Sequence, residues 1–590
     1  MSSRLEFPLR RPGFNLPLNH TPWEGRPEEP ETWLRDLLFP NALIGRDLED
    51  GPAGRVNTFR EILMMRVINT ITEKPEWDRK VFDKDIVSKW RDEIAASGED
   101  ITPKMMDWIF HELQLKAETL QEKNYIRVFD AGVFKADSAV TEEERGALQD
   151  AVAPLEQIPE DEKDYHPRSD GKVVDLVHPS LFPLIYGRTR ILPDRLIGLD
   201  DCTSYIEKGE VLKVPSEEES FYSRTFQWLP CDVEFQDDNG CRIVSYINNL
   251  NPSEHRPLYT AIENVLNRAI PLWNETLTLT QNPCPQRMSF NEVEYLPHSE
   301  PEPEPGSDQE SDSDSFVDVQ AAWERRRPIR LPEPVGSFDS GKISPDAESC
   351  VNLRKDFREG IQVIVKLATI ELTPEKPEYE GGSWHVEGQQ NEHICATALY
   401  YYDSQNITES TLAFRQSTDT QEISSVSYEQ DQHAFLQLVY GFAPEVDSRN
   451  ETNITQHLGS VVSKEGRLLT FPNILQHRVS PFGLADRTKP GHRKILALFL
   501  VDPHLRIIST ANVPPQQEAW AEEKSELVQN LLTAQRSAEL QDIVKKDVAG
   551  HSISLDEAKQ YRLELMDERS LTTDEHNEMF SMGEFNLCEH

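Results

Sequence analysis

Residues 381–402 read GGSWHVEGQQNEHICATALYYY. Two glycines precede a histidine and a glutamate spaced two apart, and an apolar, β-prone run follows. On a strand, residues i and i+2 point to one face. His385 and Glu387 therefore aim an imidazole and a carboxylate at the same point. Two donors of a small metal site are present, and the remainder of the chain has to supply a third.

The segment around this stretch is built of short strands. REGIQVIVKLATIELTP (358–374) precedes it, and TLAFRQ, AFLQLVYG, GRLLTFPN and RKILALFLVDP follow, separated by polar and Gly/Pro turns. Many short strands between turn signals predict a β-sandwich or barrel over 341–515. The chain before it is different in texture. VNTFREILMMRVINTITEKPEW and TPKMMDWIFHELQLKAETLQEKN carry apolar residues at helical spacing, and Thr141-x-x-Glu144 reads as a capping box. This predicts a helical region over 1–172. A mixed α/β region over 173–297 is expected to pack on the barrel. Residues 298–315, HSEPEPEPGSDQESDSDS, hold seven acidic residues, five serines and three prolines, and no Lys or Arg. Such a composition builds no core, so 298–340 is expected to be a disordered linker or loop. After Pro514 and Pro515 the chain turns charged and helical over 516–590, with a second helix opening at Ser554-x-x-Glu557.

Bulk properties exclude several classes of function. The net charge of −42 over 590 residues repels nucleic acid and anionic membranes. The seven cysteines are scattered and include no CxxC pair, which argues against a disulfide framework or a structural zinc site. The first residues, MSSRLEFPLRRPGFNLPLNH, contain no apolar stretch of secretory type, and no apolar run is long enough to span a membrane. A cytoplasmic or nuclear protein is expected. The basic triplet Arg325–Arg327 reads as a solvated patch, and the oligomeric state leaves no trace in the sequence.

His393, His433, His457, His477, His492 and His504 compete for the third donor position. His477 stands out, because a strand-like run, GRLLTFPNILQ, leads into it. His457 and His492 are its main rivals. Sixteen residues after His477 comes Arg493, opening the apolar strand RKILALFLV. Two imidazoles and one carboxylate on one side of a metal leave positions open for a bidentate co-substrate and dioxygen. An arginine nearby suits the far carboxylate of a 2-oxo acid. Arg487, in a Pro/Gly/Asp-rich turn, is the alternative for that role. Asn391 and Tyr400 are further candidates for the co-substrate pocket, although Tyr400 and Tyr402 alternate with Ala396 and Ala398 as a packing face would.

These residues carry a resemblance. The His-x-Glu, distant His and following Gly-His-Arg-Lys resemble the motif of the Fe(II)/2-oxoglutarate-dependent oxygenases. The stretches REILMMRVINTITEKPEWDRKVFD, VHPSLFPLIYGRTRIL, SYINNLNPSEHRPLY, GGSWHVEG, YYYDSQNITESTLAFR and HRVSPFGLADRTKPGHRKILALFLVDP look like those of a largely fungal family of unknown function within that superfamily. The resemblance implies an α+β fold with a C-terminal double-stranded β-helix (jelly-roll, cupin-like) core. It implies iron ligands at His385, Glu387 and His477, and Arg493 as partner of the 2-oxoglutarate carboxylate. It further implies use of dioxygen, release of succinate and carbon dioxide, and hydroxylation of a small-molecule or peptide substrate. The commoner motif has Asp where Glu387 stands. Two other readings share these residues: a non-catalytic jelly-roll binding or scaffold protein, and a zinc-dependent hydrolase.

Overall fold

The structure, a computed structural model, describes residues 38–43, 54–215, 221–237, 239–304, 319–320, 322–324, 326–343, 350–430, 432–443, 452–521 and 552–583. The helices that position the site are α1 (Phe59–Thr72), α2 (Pro103–Lys123), α3 (Glu142–Glu156), α4 (Arg256–Gln281) and α5 (Leu555–Ser581). The strands are β1 (Ile126–Phe129), β2 (Val133–Ala136), β3 (Val173–Val177), β4 (Cys231–Phe235), β5 (Cys241–Ile243), β6 (Ile361–Leu372), β7 (Ile394–Gln405), β8 (Thr411–Ser417), β9 (Thr455–Val462), β10 (Leu468–Pro472), β11 (Gln476–Val479) and β12 (Gly491–Val501).

The fold is mixed α+β, with mostly antiparallel sheets and no closed barrel among the described residues. One large sheet runs β1-β2-β10-β7-β12-β6-β4-β5, with β3 also paired to β6. A second sheet runs β9-β8-β11. A single bridge, His385 to His477, adds the segment before β7 to its β11 edge. From β6 onward the chain visits the sheets in turn. It passes from β6 through the His385 segment to β7, crosses to β8 and β9, returns to β10, crosses to β11 and ends on β12.

The β-branched and aromatic residues of β6, β7 and β12 suit strands buried on both faces. One face of the large sheet packs Ala398, Tyr400, Leu498 and Val365 against Ile262, Ile270 and Trp273 of α4. The other face packs Ile364, Tyr401 and Phe499 against Leu412, Phe414 and Leu458 of the second sheet. A third core joins α1 and α2 through Met64, Ile68, Trp108 and Leu113. Thr141 and Ser554 cap their helices as the sequence predicts, each hydroxyl accepting from the backbone N–H three residues on.

The two halves of the chain share one sheet. β1 and β2 extend it beyond β10, while β3, β4 and β5 build on β6. Of the acidic segment expected to be a linker, residues 305–318 lie outside the described residues. Its end is packed: Ile329 is buried in a cluster with Phe435 and Tyr440. Arg327, expected in a solvated patch, lies over the Tyr295 ring at 3.8 Å. The charged helix expected after Pro515 falls mostly on residues 522–551, also outside the described ones.

A buried ion cluster fastens α2 to the sheet. Arg287 donates to Glu112 (2.9 and 2.8 Å) and to Asp130, which follows β1. Burial works to raise the Glu112 carboxyl, but the charges of Arg287 and Lys116 outweigh it and hold the group at about 2. A carboxylate depressed in the folded state contributes stability above its unfolded value and loses it as pH falls toward the folded one. The melting temperature is therefore expected to fall steeply between about pH 4.5 and 2. Arg287→Met should cost about 3–5 kcal/mol at neutral pH, measured by chemical denaturation, because it strands two buried carboxylates.

Candidate metal centre

The His385 segment approaches β11 through a close turn. Gly381 has φ 91°, and a Cβ there would stand 2.8 Å from the Val479 carbonyl oxygen. Glycine alone tolerates both the backbone and the contact. The Gly382 N–H donates to that same carbonyl at 2.9 Å. His385 and His477 then exchange backbone hydrogen bonds, His385 N to His477 O at 3.2 Å and His477 N to His385 O at 3.0 Å. The two are direct cross-strand partners, and their rings lie 4.4 Å apart. Glu387 is held by the side chain of Asn473, which accepts from the Glu387 N–H and donates to the Glu387 carbonyl, both at 2.9 Å.

One donor atom from each of His385, Glu387 and His477 lies within 4.8 Å of the others, a grouping able to hold a metal ion. Glu387 Oε1 is 3.2 Å from His477 Nε2 and 3.9 Å from His385 Nε2. His385 Nδ1 is 2.9 Å from the Ser383 carbonyl, which favours the tautomer that leaves Nε2 with its lone pair. Burial, and next the nearby His477, push the His385 imidazole down to about 4. Burial works to raise the Glu387 carboxyl, but the His477 hydrogen bond and the charges of both histidines bring it to about 2. A neutral imidazole beside an ionised carboxylate is the protonation state that metal ligation requires. Phe471 and Phe414 back the His477 ring at 4.7 and 6.4 Å.

The rival histidines are elsewhere. His457 packs edge-on to Trp384 on the far side of the second sheet, and His492 Nε2 pairs with Asp403 at 2.9 Å. Arg487 is exposed and ion-paired to Glu378. Arg493 is 2% exposed, donates to the Ser410 hydroxyl, and lies 5.0 Å from the Phe482 ring and 5.6 Å from that of Tyr401. Among the described residues it has no carboxylate in ion-pair range, and its buried Nε has no partner. Burial holds its pKa below the ordinary arginine value.

Two expected pocket residues are corrected. Tyr400 points into the α4 layer with Ala396, Ala398 and Tyr402, on the face of β7 away from the metal donors. Tyr401, its neighbour on the opposite face of β7, packs toward the second sheet. Asn391 is a bracket between loops: its amide accepts from Ser223 N at 3.4 Å and donates to Phe226 O at 3.0 Å.

A second grouping, His166, Asp175 and His178, was not legible as a cluster, since His178 stands alone in sequence. It forms because residues 164–166 fold back along β3. Its charge is already matched: Asp175 Oδ2 bonds His166 at 2.7 Å and faces Arg562 at 3.5 Å, while His178 Nδ1 accepts from Ser180 N.

The chain belongs to the family described as "Protein of unknown function (DUF4246)", matched over residues 103–524. Residues 11–93 match its N-terminal domain, likewise of unknown function. No curated protein matches the chain. Solved structures with some likeness include IDO from Bacillus thuringiensis, at 10% identity over 66% of this chain and 98% of that one, with a TM-score of 0.20. A bsmA homolog from Methylobium petroleophilum PM1 has 11% identity over 31% of this chain and 60% of that one, with a TM-score of 0.16. Likenesses at these scores carry no information on fold or activity. No helix among the described residues is long and apolar enough to cross a membrane.

Anaerobic Co(II) titration followed by visible absorption tests the donor set. His477→Ala is expected to abolish the bound-Co(II) spectrum. Asn473→Ala should leave the fold intact and weaken binding about ten- to a hundredfold, as loss of a group that orients a ligand does.

Proposed function

We propose that His385, Glu387 and His477 bind Fe(II) and that the protein is a 2-oxoglutarate-dependent oxygenase of hydroxylase type. The observation that carries the proposal is Arg493, a buried guanidinium with no carboxylate in ion-pair range among the described residues, on the face of β12 that turns to the second sheet. An uncompensated buried cation is costly, and an anionic co-substrate removes that cost. The donor set supports the fit too, since two imidazole nitrogens and one carboxylate oxygen lie within 4.8 Å of one another.

The strand order supports the same reading. We take β6, the His385 segment and β7 to β12 as the eight strands of a double-stranded β-helix. In that fold alternate crossings give the order β10-β7-β12-β6 in one sheet and β9-β8-β11-His385 in the other, as the pairings here do.

Bound iron would supply the oxidative step, in which 2-oxoglutarate and dioxygen yield succinate, carbon dioxide and a hydroxylated substrate. The chain supplies the rest. His385 and His477 would each offer an imidazole nitrogen, and Glu387 a carboxylate oxygen. Arg493 and Ser410 would receive the far carboxylate of 2-oxoglutarate, with Tyr401 and Phe482 as apolar walls that strengthen that pairing by excluding water. The substrate belongs to the small-molecule or peptide class, consistent with the acidity of the chain. The unpaired Arg493 favours this reading over a zinc hydrolase, which has no use for a carboxylate anchor beside its metal.

The test is succinate release from 2-oxoglutarate by Fe(II)-loaded protein without added substrate. Turnover that disappears in His385→Ala supports the proposal. Arg493→Gln should raise the KM for 2-oxoglutarate about 10- to 100-fold, the value of one charge-assisted contact. Absence of turnover together with absence of 2-oxoglutarate binding would overturn it.

A further inference from the structure

Trp384 and Arg478 are the sequence neighbours of His385 and His477, so they point to the opposite face of the second sheet. There they border a cleft of about 370 Å³ between α1 and the strands β8, β9 and β11. The cleft is cationic. Arg66 from α1, Arg478 from β11 and His457 from β9 line it, with Trp384 as its aromatic floor. Arg478 lies 4.6 Å from the Trp384 ring and Arg415 4.8 Å from it, while His457 packs edge-on at 5.5 Å. Arg66 is fixed by donating to the His457 and Leu458 carbonyls. Gly459, at φ 141°, makes room for it, since a Cβ there would stand 3.2 Å from the Arg66 Cγ.

The cluster is out of character with the rest of the molecule. The chain has 103 acidic residues against 61 Lys and Arg. Yet among the described residues no carboxylate forms an ion pair with Arg66, Arg415 or Arg478. Glu99 acts on Arg66 only from farther away. The groups repel one another. Burial, and next Arg478, brings Arg415 down to about 10. Burial, then Arg415, Arg66 and Arg478, holds the His457 imidazole below its ordinary value. Like charges gathered without compensation cost stability, and a bound anion relieves that cost.

We propose that this cleft binds a small phosphate-bearing anion. Two guanidinium groups line the cleft and a third, Arg415, lies over the same Trp384 ring; together they match a multiply charged oxyanion better than a monocarboxylate, and the guanidinium fork fits phosphate oxygens in pairs. The volume suits a small molecule. A nucleic-acid strand is disfavoured by the charge of the chain as a whole. The site lies behind the metal centre and stands independently of the oxygenase proposal.

The experiment is calorimetric titration of the full, metal-free chain with inorganic pyrophosphate. Saturable binding at one site is expected. Arg478 is exposed, so Arg478→Gln should fold normally, as its melting temperature would show. This variant should weaken binding tenfold or more, the loss of a charge-assisted contact. Arg478→Lys should recover part of the affinity. Arg493→Gln should leave it unchanged, separating this cleft from the co-substrate pocket. The proposal falls if pyrophosphate does not bind, if Arg478→Gln binds as well as the unaltered chain, or if Arg493→Gln abolishes binding. Citrate binding with equal affinity at the same cleft would overturn the assignment to phosphate.

Discussion

Two backbone hydrogen bonds between His385 and His477 are the contact on which the candidate centre depends. They make residues far apart in sequence direct neighbours at the edge of the second sheet. A slip of the His385 segment by one residue would turn its imidazole to the opposite face, away from His477. The register is secured from both ends. Gly381 lets the backbone close on Val479 before the pair, and Asn473 clamps the backbone of Glu387 after it. Behind the pair, Phe414 and Phe471 fix the ring of His477 against the inter-sheet core. The donor geometry thus rests on strand pairing and packing.

Much of this could be read from the sequence. His385-x-Glu387 is legible because period two puts both side chains on one face. His477 could be chosen over His457 and His492 from its strand context, and the structure brings His477, not its rivals, to Glu387. Arg493 and Arg487 were separable only by position on a strand or a turn. In space, one is buried and unpaired, and the other exposed and ion-paired. Alternation already grouped Tyr400 with Ala396, Ala398 and Tyr402, and the structure keeps these four together against α4; only Ile394 departs from that face, and Tyr401 packs toward the second sheet. Long-range features left no local signal. The joining of β3, β4 and β5 to β6, and the fold-back that brings His166 to Asp175, depend on partners distant in sequence. The composition of the acidic stretch gives no hint of the packing of Ile329 at its end.

Charge placement links the two proposals. With 103 acidic residues to 61 Lys and Arg, the chain has a carboxylate to spare for every cation, and several of its buried cations are neutralised. Arg287 is ringed by Glu112 and Asp130, and Arg467 by Glu73 and Asp137. Among the described residues, buried Arg493 on the inner side of the sheets has no carboxylate in ion-pair range, and neither have Arg66, Arg415 and the exposed Arg478 on the outer side. Both proposals bring an anion from solution to these places, which would offset the cost of the uncompensated charge.

The central claim is that the three donors and Arg493 act together on one metal-bound 2-oxo acid. The most direct measurement is anaerobic titration of Fe(II)-loaded protein with 2-oxoglutarate, followed by visible absorption. A saturable charge-transfer band that is absent in His477→Ala, and needs far more 2-oxoglutarate to develop in Arg493→Gln, is the expected result. Tight Fe(II) binding with no such band at any 2-oxoglutarate concentration would contradict the claim.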